Sequence, residues 1–482
     1  MPQADKNNLW ECFIIKQANE RKVRNMDSLF KQRMEQLLVN EYDQYVQSLE
    51  TPLFQGLRIS PRKQEIETTK GLLPFLEEPS KFARNTWYIH GQYGLHHAHL
   101  QGLFYLQEPS AGSAVELLDV QPKDIVLDLC AAPGSKSTQI LDRLEGGFLV
   151  ANEIDAKRAQ VLLSNMERMG AENFMVTNMD SPTLCKQLKN CFDKILVDAP
   201  CSGEGMMKKH EAAIEQWSYD NVLLCAARQK EILQQAWLAL KPGGSLVYST
   251  CTYAKEENEE NVAWLLETFK DAKQVAMDVT WGREGIPTEG MDATKVRRIF
   301  PMDGGEGHFA ARFEKIKSEE QSTSSFTFCK EEKLDKTIQA FLNEQTDQAF
   351  THYYLEKNQD STFVYGMNAP FIKLKKGKVL RQGVFVGELL KGRFEPAHAF
   401  YLCKTIAKHA LTKTETTIEQ MDDFFHGQQL SLNAPKGYRA LCLNGIPYGF
   451  GKSSQSRITN KLPKGLRLKP NSHVMATGGM NE

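Results

Sequence analysis

Between residues 124 and 250, short apolar runs alternate with segments of helical periodicity. Five runs have the length and composition of buried strands: 125–129, 148–151, 174–177, 195–197 and 246–248. One intervening segment places apolar residues at i, i+3, i+4 and i+7: Ala159, Leu162, Leu163 and Met166. A second predicted helix ends at Pro242-Gly243-Gly244, because proline cannot continue a helix and glycine permits a tight turn. This alternation predicts βαβ units and a mainly parallel sheet covered by helices.

The segments on either side have other patterns. Residues 27–49 place Leu, Met and Phe among charged positions after a suitable N-cap, Asp27, which predicts an amphipathic helix. Residues 1–25 differ in pattern from this helical segment, so Met26 is a candidate for the natural start. The stretch 318–325 lacks apolar residues and is predicted to be a linker.

Two basic runs lie beyond this linker. The first alternates with apolar residues in a partly strand-like way and contains Lys373, Lys375, Lys376, Lys378 and Arg381. The second has no acidic residue among its neighbours and contains Lys452, Arg457, Lys461, Lys464, Arg467 and Lys469. Such runs are either solvated faces or contacts to nucleic-acid phosphates, and the net charge of −1 does not decide between the two.

Composition excludes several classes of protein. A chain of 482 residues exceeds one usual core and predicts several domains. Hydrophobic residues make up 41% without any long apolar run, so no membrane span is predicted. The N-terminus carries no export signal, and the ten cysteines are expected to be reduced in a cytoplasmic setting. No close Cys-x₂-Cys pair occurs, and no metal is predicted.

The first predicted strand leads into a turn of small residues that suits a ligand. The turn comprises Cys130, Ala131, Ala132, Pro133, Gly134, Ser135 and Lys136. In an open parallel sheet, ligands bind beyond the carboxyl ends of the strands. Glu153 follows the second strand, 25 residues beyond Asp128, near the spacing at which an acidic residue accepts ribose hydroxyls. These features indicate that the turn binds a nucleoside. A tight turn that binds no ligand remains the alternative interpretation.

Two phosphate-binding alternatives fit this turn poorly. A P-loop needs a glycine directly before the lysine, where this chain has Ser135. A dinucleotide-binding dehydrogenase needs G-x-G-x-x-G at the start of the helix, and that pattern does not occur here. S-adenosyl-L-methionine, a nucleoside without phosphate, remains compatible.

Two cysteines directly follow predicted strand ends. The fourth strand ends in Asp198-Ala199-Pro200-Cys201-Ser202-Gly203-Glu204-Gly205, and the fifth in Ser249-Thr250-Cys251-Thr252. A single cysteine past a strand is most often simply buried. Two at neighbouring strand ends favour one shared cleft.

These strings resemble the NOL/NOP/Sun family of RNA cytosine-C5 methyltransferases. The resemblance rests on DLCAAPGSK, DAPCSGEG and STCT, with further similarity at GLFYLQE, RIFP and GHF. Lys464-Gly465-Leu466-Arg467 is similar to the terminal signature of the bacterial small-subunit ribosomal RNA methyltransferase F branch. The match covers nearly the whole chain after Met26.

The resemblance implies a fold and a domain order. The expected fold is α/β, a Rossmann-like class I S-adenosylmethionine-dependent methyltransferase with an N-terminal RNA-binding extension and a C-terminal PUA-like α+β region. The expected division is an N-terminal helical RNA-binding region (1–85), a catalytic domain (86–317), a linker (318–325), a small α+β domain (326–400) and a PUA-like RNA-binding domain (401–482).

The resemblance also implies roles for individual residues. Cys251 would attack carbon 6 of the base, Cys201 would help release the product, and Asp198 would contact the base and the cofactor. The turn 130–136, Glu153 and Asp180 would bind S-adenosylmethionine. In DNA methyltransferases the cysteine after proline attacks, which would make Cys201 the nucleophile instead. An ordinary thiol is mostly protonated at neutral pH, so Cys251 needs a base or a favourable field, which the sequence does not name.

The implied substrate is small-subunit ribosomal RNA, in the 30S subunit. Candidate RNA contacts are Lys208, Lys209, Lys464 and Arg467. Transfer RNA and large-subunit RNA remain alternatives, because relatives modify them with the same catalytic strings. A ribosome-assembly protein that binds RNA without catalysis is a different class of function, and the intact Asp198, Cys201 and Cys251 count against it.

Overall fold

A computed structural model of the protein describes residues 26–209, 211–317 and 326–476. The helices are α1 Ser28–Leu38, α2 Tyr42–Leu49, α3 Ile66–Lys70, α4 His97–Leu100, α5 Ser113–Leu118, α6 Ser135–Leu141, α7 Ala156–Arg168, α8 Ser181–Gln187, α9 Glu211–Glu215, α10 Tyr219–Ala239, α11 Glu259–Thr268, α12 Lys336–Gln345, α13 His398–Leu402, α14 Lys404–His409 and α15 Ile418–Phe425. Short 3₁₀ turns are Val39–Glu41, Glu204–Met206, Ala293–Lys295, Pro301–Asp303 and Lys464–Leu466. The expected extension 1–25 and linker 318–325 lie outside the described residues.

The strands form one large sheet and three small ones. They are β1 Gly56–Ile59, β2 Thr86–Tyr88, β3 Phe104–Leu106, β4 Ile125–Asp128, β5 Phe148–Asn152, β6 Phe174–Asn178, β7 Phe192–Asp198, β8 Leu240–Thr250, β9 Ala272–Val275, β10 Val296–Ile299, β11 His308–Lys315, β12 His352–Lys357, β13 Ser361–Met367, β14 Lys378–Gln382, β15 Val384–Leu390, β16 Arg393–Pro396, β17 Lys413–Glu415, β18 Gly437–Leu443, β19 Ile446–Ser453 and β20 Ile458–Asn460.

The large sheet has the strand order β10-β11-β8-β7-β4-β5-β6-β14, with β9 paired to β11. Strands β8, β7, β4, β5 and β6 are parallel neighbours, which confirms the predicted Rossmann-like α/β fold. From β4 the chain proceeds outward to β5 and β6 and then returns to β7 on the other side of β4. Ligands bind at such a switch point, so the carboxyl ends of β4 and β7 define the expected crevice.

The predicted helices of this region form as expected. The apolar stripe of α7 is buried against the sheet, with Ala159, Leu162 and Met166 each fully covered. Helix α10 ends at Ala239, and Pro242-Gly243-Gly244 lies near the start of β8, where the pairing with β7 shifts register. These elements form because burial of one apolar face stabilises them more than the intrinsic conformational propensities of their residues do.

The N-terminal segment forms two helices rather than the single one predicted. Asp27 caps α1 as expected, accepting hydrogen bonds from the backbone N–H of Leu29 and Phe30 at 2.7 and 3.3 Å. At Val39 the backbone has φ 44°, which no α-helix can accommodate, and α2 starts only at Tyr42. The ring of Tyr45 packs edge-on against Tyr253 at 5.8 Å, so the helix pair supports the chain just after Cys251.

Two features run across the expected domain borders. The small sheet β2-β1-β3 extends from Gly56 to Leu106 and so crosses residue 85. Strand β14 leaves the 326–400 region and pairs antiparallel with β6 of the catalytic sheet. Phe371 and Ile372, directly before the basic run, are buried in the catalytic core. Residues 371–372 and β14 of this region therefore pack on the catalytic sheet.

The remaining C-terminal chain forms two further sheets. Their orders are β12-β13-β15-β16 and β17-β18-β19-β20, and the second sheet packs on α15 through Phe424 and Tyr448. Among the described helices, none has both the length and the apolar character that a membrane span requires.

Candidate active site

The predicted ligand turn joins β4 to α6 at the switch point. Gly134, the residue before α6, has φ +109°, a conformation that side chains strongly disfavour. A Cβ there would also lie 3.1 Å from Leu162 Cδ1. Helix α7 holds the turn in place: Arg158 donates to the Ala132 carbonyl and Asn165 to the Pro133 carbonyl, each at 2.9 Å.

The polar groups around the turn fit a nucleoside cofactor with an ammonium group. Asp128 is buried, and burial raises the pKa of its carboxyl to about 7. Its Oδ2 accepts a 2.6 Å hydrogen bond from Ser137, whereas Oδ1 has no partner among the described residues. An orphaned buried acceptor calls for a donor from a ligand or water. Glu153 is buried at the end of β5 and accepts from the Asp155 backbone N–H at 2.9 Å.

Two predicted cofactor residues have further contacts that bear on their roles. Asp180 is exposed and caps α8, accepting from the Thr183 backbone N–H at 2.7 Å. Burial raises the pKa of the Cys130 thiol well above its usual value, which agrees with a packing role and not with a nucleophile.

Asp198 and Lys136 form an ion pair between the cofactor turn and the end of β7. Lys136 Nζ lies 2.7 Å from Asp198 Oδ2, and Ser249 donates to Oδ1 at 2.7 Å. Burial alone would raise the pKa of Asp198, but the lysine charge and these hydrogen bonds outweigh it and lower that pKa below its usual value. A fixed carboxylate therefore joins the cofactor turn to Ser249, two residues before Cys251.

Cys201 and Cys251 meet as the sequence predicted. Their sulfur atoms are 3.2 Å apart. The hydrogen bond between them raises the pKa of Cys201 well above its usual value, and burial acts in the same direction. The same bond lowers the pKa of Cys251 against burial and the Asp198 charge, with help from the Lys136 ammonium and from His308 when its ring carries a proton. Cys251 is thus the thiol that ionises more readily, and Cys201 is the thiol that donates to it.

The loop that contains Cys201 is hydrogen-bonded to Cys251 through Gly205. Its backbone N–H donates to the Cys251 carbonyl at 2.9 Å. A Cβ at Gly205 would lie 2.8 Å from the Cα of Gly307, so only glycine permits this approach. The segment that contains His308 is thereby brought against both cysteine loops.

Two buried carboxyl groups and two hydroxyls form a chain behind the cysteines. Ser202 Oγ contacts Glu257 Oε1, Thr252 Oγ1 lies 2.8 Å from Ser202 Oγ, and Glu204 Oε2 lies 3.0 Å from Thr252 Oγ1. These three oxygen–oxygen contacts need three protons, but the two hydroxyls provide only two. One carboxyl group must therefore be protonated.

Glu257 is the better candidate for that proton. Burial raises its pKa to about 7. Its Oε2 accepts from the Ser202 backbone N–H and from Gln229 at 3.0 and 2.7 Å, which leaves Oε1 to carry the hydrogen. Burial raises the pKa of Glu204 as well, but it receives N–H groups from Trp217 and Tyr253 at 2.9 and 3.0 Å, which act against burial and favour its ionised form.

We expect Glu257→Gln to remove a pH dependence of stability. The amide oxygen can replace Oε2, and the NH₂ group can donate the third hydrogen to Ser202 at every pH. Because the native pKa of Glu257 lies above the ordinary value of 4.5, the wild type is stabilised fully below pH 4.5 and loses that contribution as the pH rises through 7. The loss is about 3 kcal/mol at most. Urea unfolding at pH 5 and pH 8 measures it.

The matched control for this variant is Glu260→Gln, an exposed position in the same segment. It should follow the wild-type pH curve. Parallel curves for Glu257→Gln and the wild type would contradict the protonated chain.

Sequence reasoning missed the carboxylates that support the site. Glu204 and Glu257 lie within or beside the quoted strings, yet their sequence neighbours do not show that they are buried. Glu108 and His308 were noted only as part of the similarity, and the structure pairs them with Oε2 and Nε2 3.1 Å apart. All four residues are recognised by their contacts to residues distant in the sequence, which motif spacing does not reveal.

The candidate RNA contacts have different environments. Lys208 is buried, with its ammonium 3.6 Å from Glu306 and over the ring of Phe54. Lys209, Lys464 and Arg467 are exposed. Arg381 of the first basic run is tied to Glu167 at 2.8 Å.

One group of described side chains has the composition of a metal site: Asp422, His426 and His473. Both ring nitrogens of His426 lie near backbone carbonyl oxygens, those of Asp422 at 2.9 Å and Lys469 at 3.3 Å. Nitrogens that donate to carbonyl groups have no lone pair for an ion. This arrangement favours a hydrogen-bonded imidazolium that anchors the C-terminal segment.

Known protein families match four successive segments of the chain, between residues 26 and 468. The profile of 16S rRNA methyltransferase RsmB/F matches residues 115–314, and that of the N-terminal domain of 16S rRNA methyltransferase RsmF matches residues 26–109. The RsmF first C-terminal domain matches residues 340–403, and the RsmF PUA domain matches residues 412–468. A ribosomal RNA small subunit methyltransferase F from Shewanella sp. strain ANA-3 is 31% identical over 455 residues, 88% of this chain and 93% of its own length.

The chain belongs to the ribosomal RNA small subunit methyltransferase F family. A family member from Vibrio vulnificus is 34% identical over 387 residues, 76% of this chain and 80% of its own length. The family is S-adenosylmethionine-dependent.

Solved structures agree with this family assignment. A methyltransferase homolog protein from Pyrococcus horikoshii shares 27% identity at a TM-score of 0.55, covering 62% of this chain and 98% of its own. NSun6 from the same organism, solved with SFG, shares 22% identity at a TM-score of 0.52 over 61% of this chain and 99% of its own, which supports the fold alone. The expected PUA-like region is confirmed by the RsmF PUA match.

Proposed function

We propose that this chain methylates carbon 5 of a cytidine in 16S ribosomal RNA through a covalent bond between Cys251 and carbon 6 of the base. The observation that supports the chemistry is the thiol pair. Cys251 is the thiol with the lowered pKa, and it lies beside the Asp198 carboxylate at the switch point of the sheet. The substrate follows from the names of the relatives and of the matched family.

Different residues of the chain would carry out different steps of this reaction. Carbon 5 of cytosine is a weak nucleophile, and addition of a thiolate to carbon 6 makes carbon 5 electron-rich. Cys251 would provide that thiolate, and Asp198 would hydrogen-bond the base as charge develops on the ring. Cys201, protonated beside Cys251, would assist release of the product. S-adenosylmethionine supplies the methyl group and would be held by residues 130–136, Asp128, Glu153 and Asp180.

RNA binding is proposed for the surfaces outside the catalytic sheet. Exposed Lys209, Lys464 and Arg467 would contact phosphates, whereas Lys208 would act by holding the chain after Cys201 against Thr51 and Glu306. Each phosphate contact to single-stranded RNA should contribute about 0.7 to the log–log salt slope of binding. The division into domains at 85, 317, 325 and 400 and the action on 30S subunits in the cytoplasm belong to the same proposal.

The test is transfer of labelled methyl from S-adenosylmethionine to purified 30S subunits, naked 16S RNA, 23S RNA and bulk transfer RNA. Bisulfite mapping of the product identifies the modified base. Labelled 5-methylcytidine in 16S RNA is the expected result. Label confined to transfer RNA or 23S RNA would support the proposed reaction but contradict the proposed substrate. RNA binding without methyl transfer would favour a catalytically inert assembly protein.

A further inference from the structure

His308 lies across the sheet from Cys251. Strands β8 and β11 are antiparallel, with Thr250 opposite Phe309 and Ser249 opposite Ala310. Cys251 directly follows Thr250 and His308 directly precedes Phe309, so both residues lie at the end of this strand pair. A Cβ at Gly205 would lie 2.9 Å from the Cys251 carbonyl and 2.8 Å from the Cα of Gly307, the residue before His308. The charge of His308 also acts on the Cys251 thiol. The imidazole and the thiol are therefore close to one another beyond the carboxyl end of β8.

Glu108 holds the His308 ring from the other side. Its Oε2 lies 3.1 Å from His308 Nε2, while its Oε1 accepts from the Ser110 hydroxyl and backbone N–H at 2.8 and 2.9 Å and from the Glu306 N–H at 3.1 Å. Burial alone would raise the pKa of Glu108, but His308 and Ser110 outweigh burial and lower it. An ionised carboxylate thus orients His308 Nε2, and His308 Nδ1 makes no hydrogen bond to any described residue.

The other charged groups that act on Cys251 cannot take its proton. Lys136 is a cation whose ammonium is paired with Asp198. Asp198 itself has a pKa lowered by that lysine against the effect of burial, and both of its oxygens accept hydrogen bonds. Cys201 donates towards Cys251. Among the described groups that influence this thiol, His308 is left as a proton acceptor.

We propose that His308 is the base that takes the proton of Cys251 and that Glu108 is the positioning residue that orients its ring. This inference rests on the proposed function, in which Cys251 is the nucleophile. The S–H bond of Cys251 breaks, and its proton moves to Nδ1 of His308. The resulting imidazolium donates its Nε2–H to Glu108. The thiolate electron pair then forms the bond to carbon 6, and the electron pair of the C5–C6 double bond moves towards carbon 5.

The test measures the pH dependence of Cys251 alkylation by iodoacetamide in the free, full-length protein, read by mass spectrometry of the Cys251 peptide. In His308→Gln the midpoint should rise by about one pH unit, which lowers the rate about tenfold at pH 7 and leaves it unchanged at pH 10. A purely structural defect would lower or raise the rate at every pH. The kcat profile for methyl transfer should shift in the same direction.

Glu108→Gln provides a second variant that keeps the hydrogen bonds of Oε1. Its NH₂ group would face His308 Nε2 and donate to it, which moves the ring hydrogen to Nδ1 and blocks proton uptake there. We expect a loss of about tenfold or more at pH 7. The matched control is His409→Gln, a histidine that is also 3.1 Å from a carboxylate, that of Asp347, and lies in the C-terminal region. It should leave the profile unchanged.

The outcomes separate this inference from the proposed function. If His308→Gln and Glu108→Gln both leave the alkylation profile unshifted while Cys251→Ala is inactive, the proposed role of His308 is wrong and the proposed function stands. An equal shift in His409→Gln overturns it as well. A Cys251→Ala protein that still forms 5-methylcytidine overturns the proposed function, whatever the alkylation profile shows.

Discussion

Cys251→Ala is expected to abolish methyl transfer, by at least about 10⁴-fold, because the pKa of the neighbouring Cys201 is raised well above its usual value and this thiol does not replace the attacking sulfur. It should also abolish covalent trapping of RNA that contains 5-fluorocytidine. Fluorine at carbon 5 prevents loss of the proton that normally ends the reaction, so an enzyme able to attack stays attached. A gel under denaturing conditions shows the attached RNA as a slower band.

Cys201→Ala should have a different effect, although its sulfur lies next to that of Cys251. The sulfur atoms are 3.2 Å apart, yet Cys201 has a pKa well above its usual value and serves as a donor. Trapping should persist, and an adduct should accumulate even on unmodified cytidine because release is slowed. Cys329→Ala, a half-buried cysteine of the C-terminal region, is the control. Trapping by Cys251→Ala with none by Cys201→Ala would assign the attack to Cys201, as in DNA methyltransferases.

Glu259→Ala is expected to cost about 3–5 kcal/mol of unfolding free energy. Glu259 and Arg298 are buried, with side-chain exposures of 0% and 3%, and they make two parallel contacts of 2.7 and 2.5 Å. Removal of the carboxylate leaves a buried guanidinium without its counter-charge. Arg298 also donates to the Tyr253 carbonyl at 2.9 Å, so the chain after Cys251 should loosen and activity should fall too.

Chemical denaturation of the purified protein measures this cost. Glu260→Ala, the exposed neighbour in the same helix, should stay within about 0.5 kcal/mol of the wild type. A loss below about 1 kcal/mol for Glu259→Ala would mean that water or another carboxylate replaces the missing partner.

Much of the catalytic unit was predictable because its signals are local. Strand runs, the stripe of α7 and the Pro-Gly-Gly turn each depend on neighbours within a few residues. The rule that ligands bind at strand ends then placed Cys201 and Cys251 in one cleft, where the structure has their sulfur atoms in contact.

Other features depend on tertiary contact and could not be read from local pattern. The helix predicted over 27–49 breaks at Val39, and Phe30 of the first half then packs on Trp217 while Tyr45 of the second half packs on Tyr253. Strand β14 extends the catalytic sheet by antiparallel pairing with β6, and Leu380 packs partly buried against the core. A periodicity of two predicts a strand but does not say which sheet it joins.

The sequence by itself determined the Rossmann-like core, the position of the cofactor turn and the pair of cysteines, because strand order and spacing place these groups at one edge. The tertiary structure alone decided which thiol ionises, where the shared proton of Glu204 and Glu257 lies and what holds His308. Those properties depend on burial, on charges and on contacts between residues 28 to 200 positions apart, and burial and charge act through space.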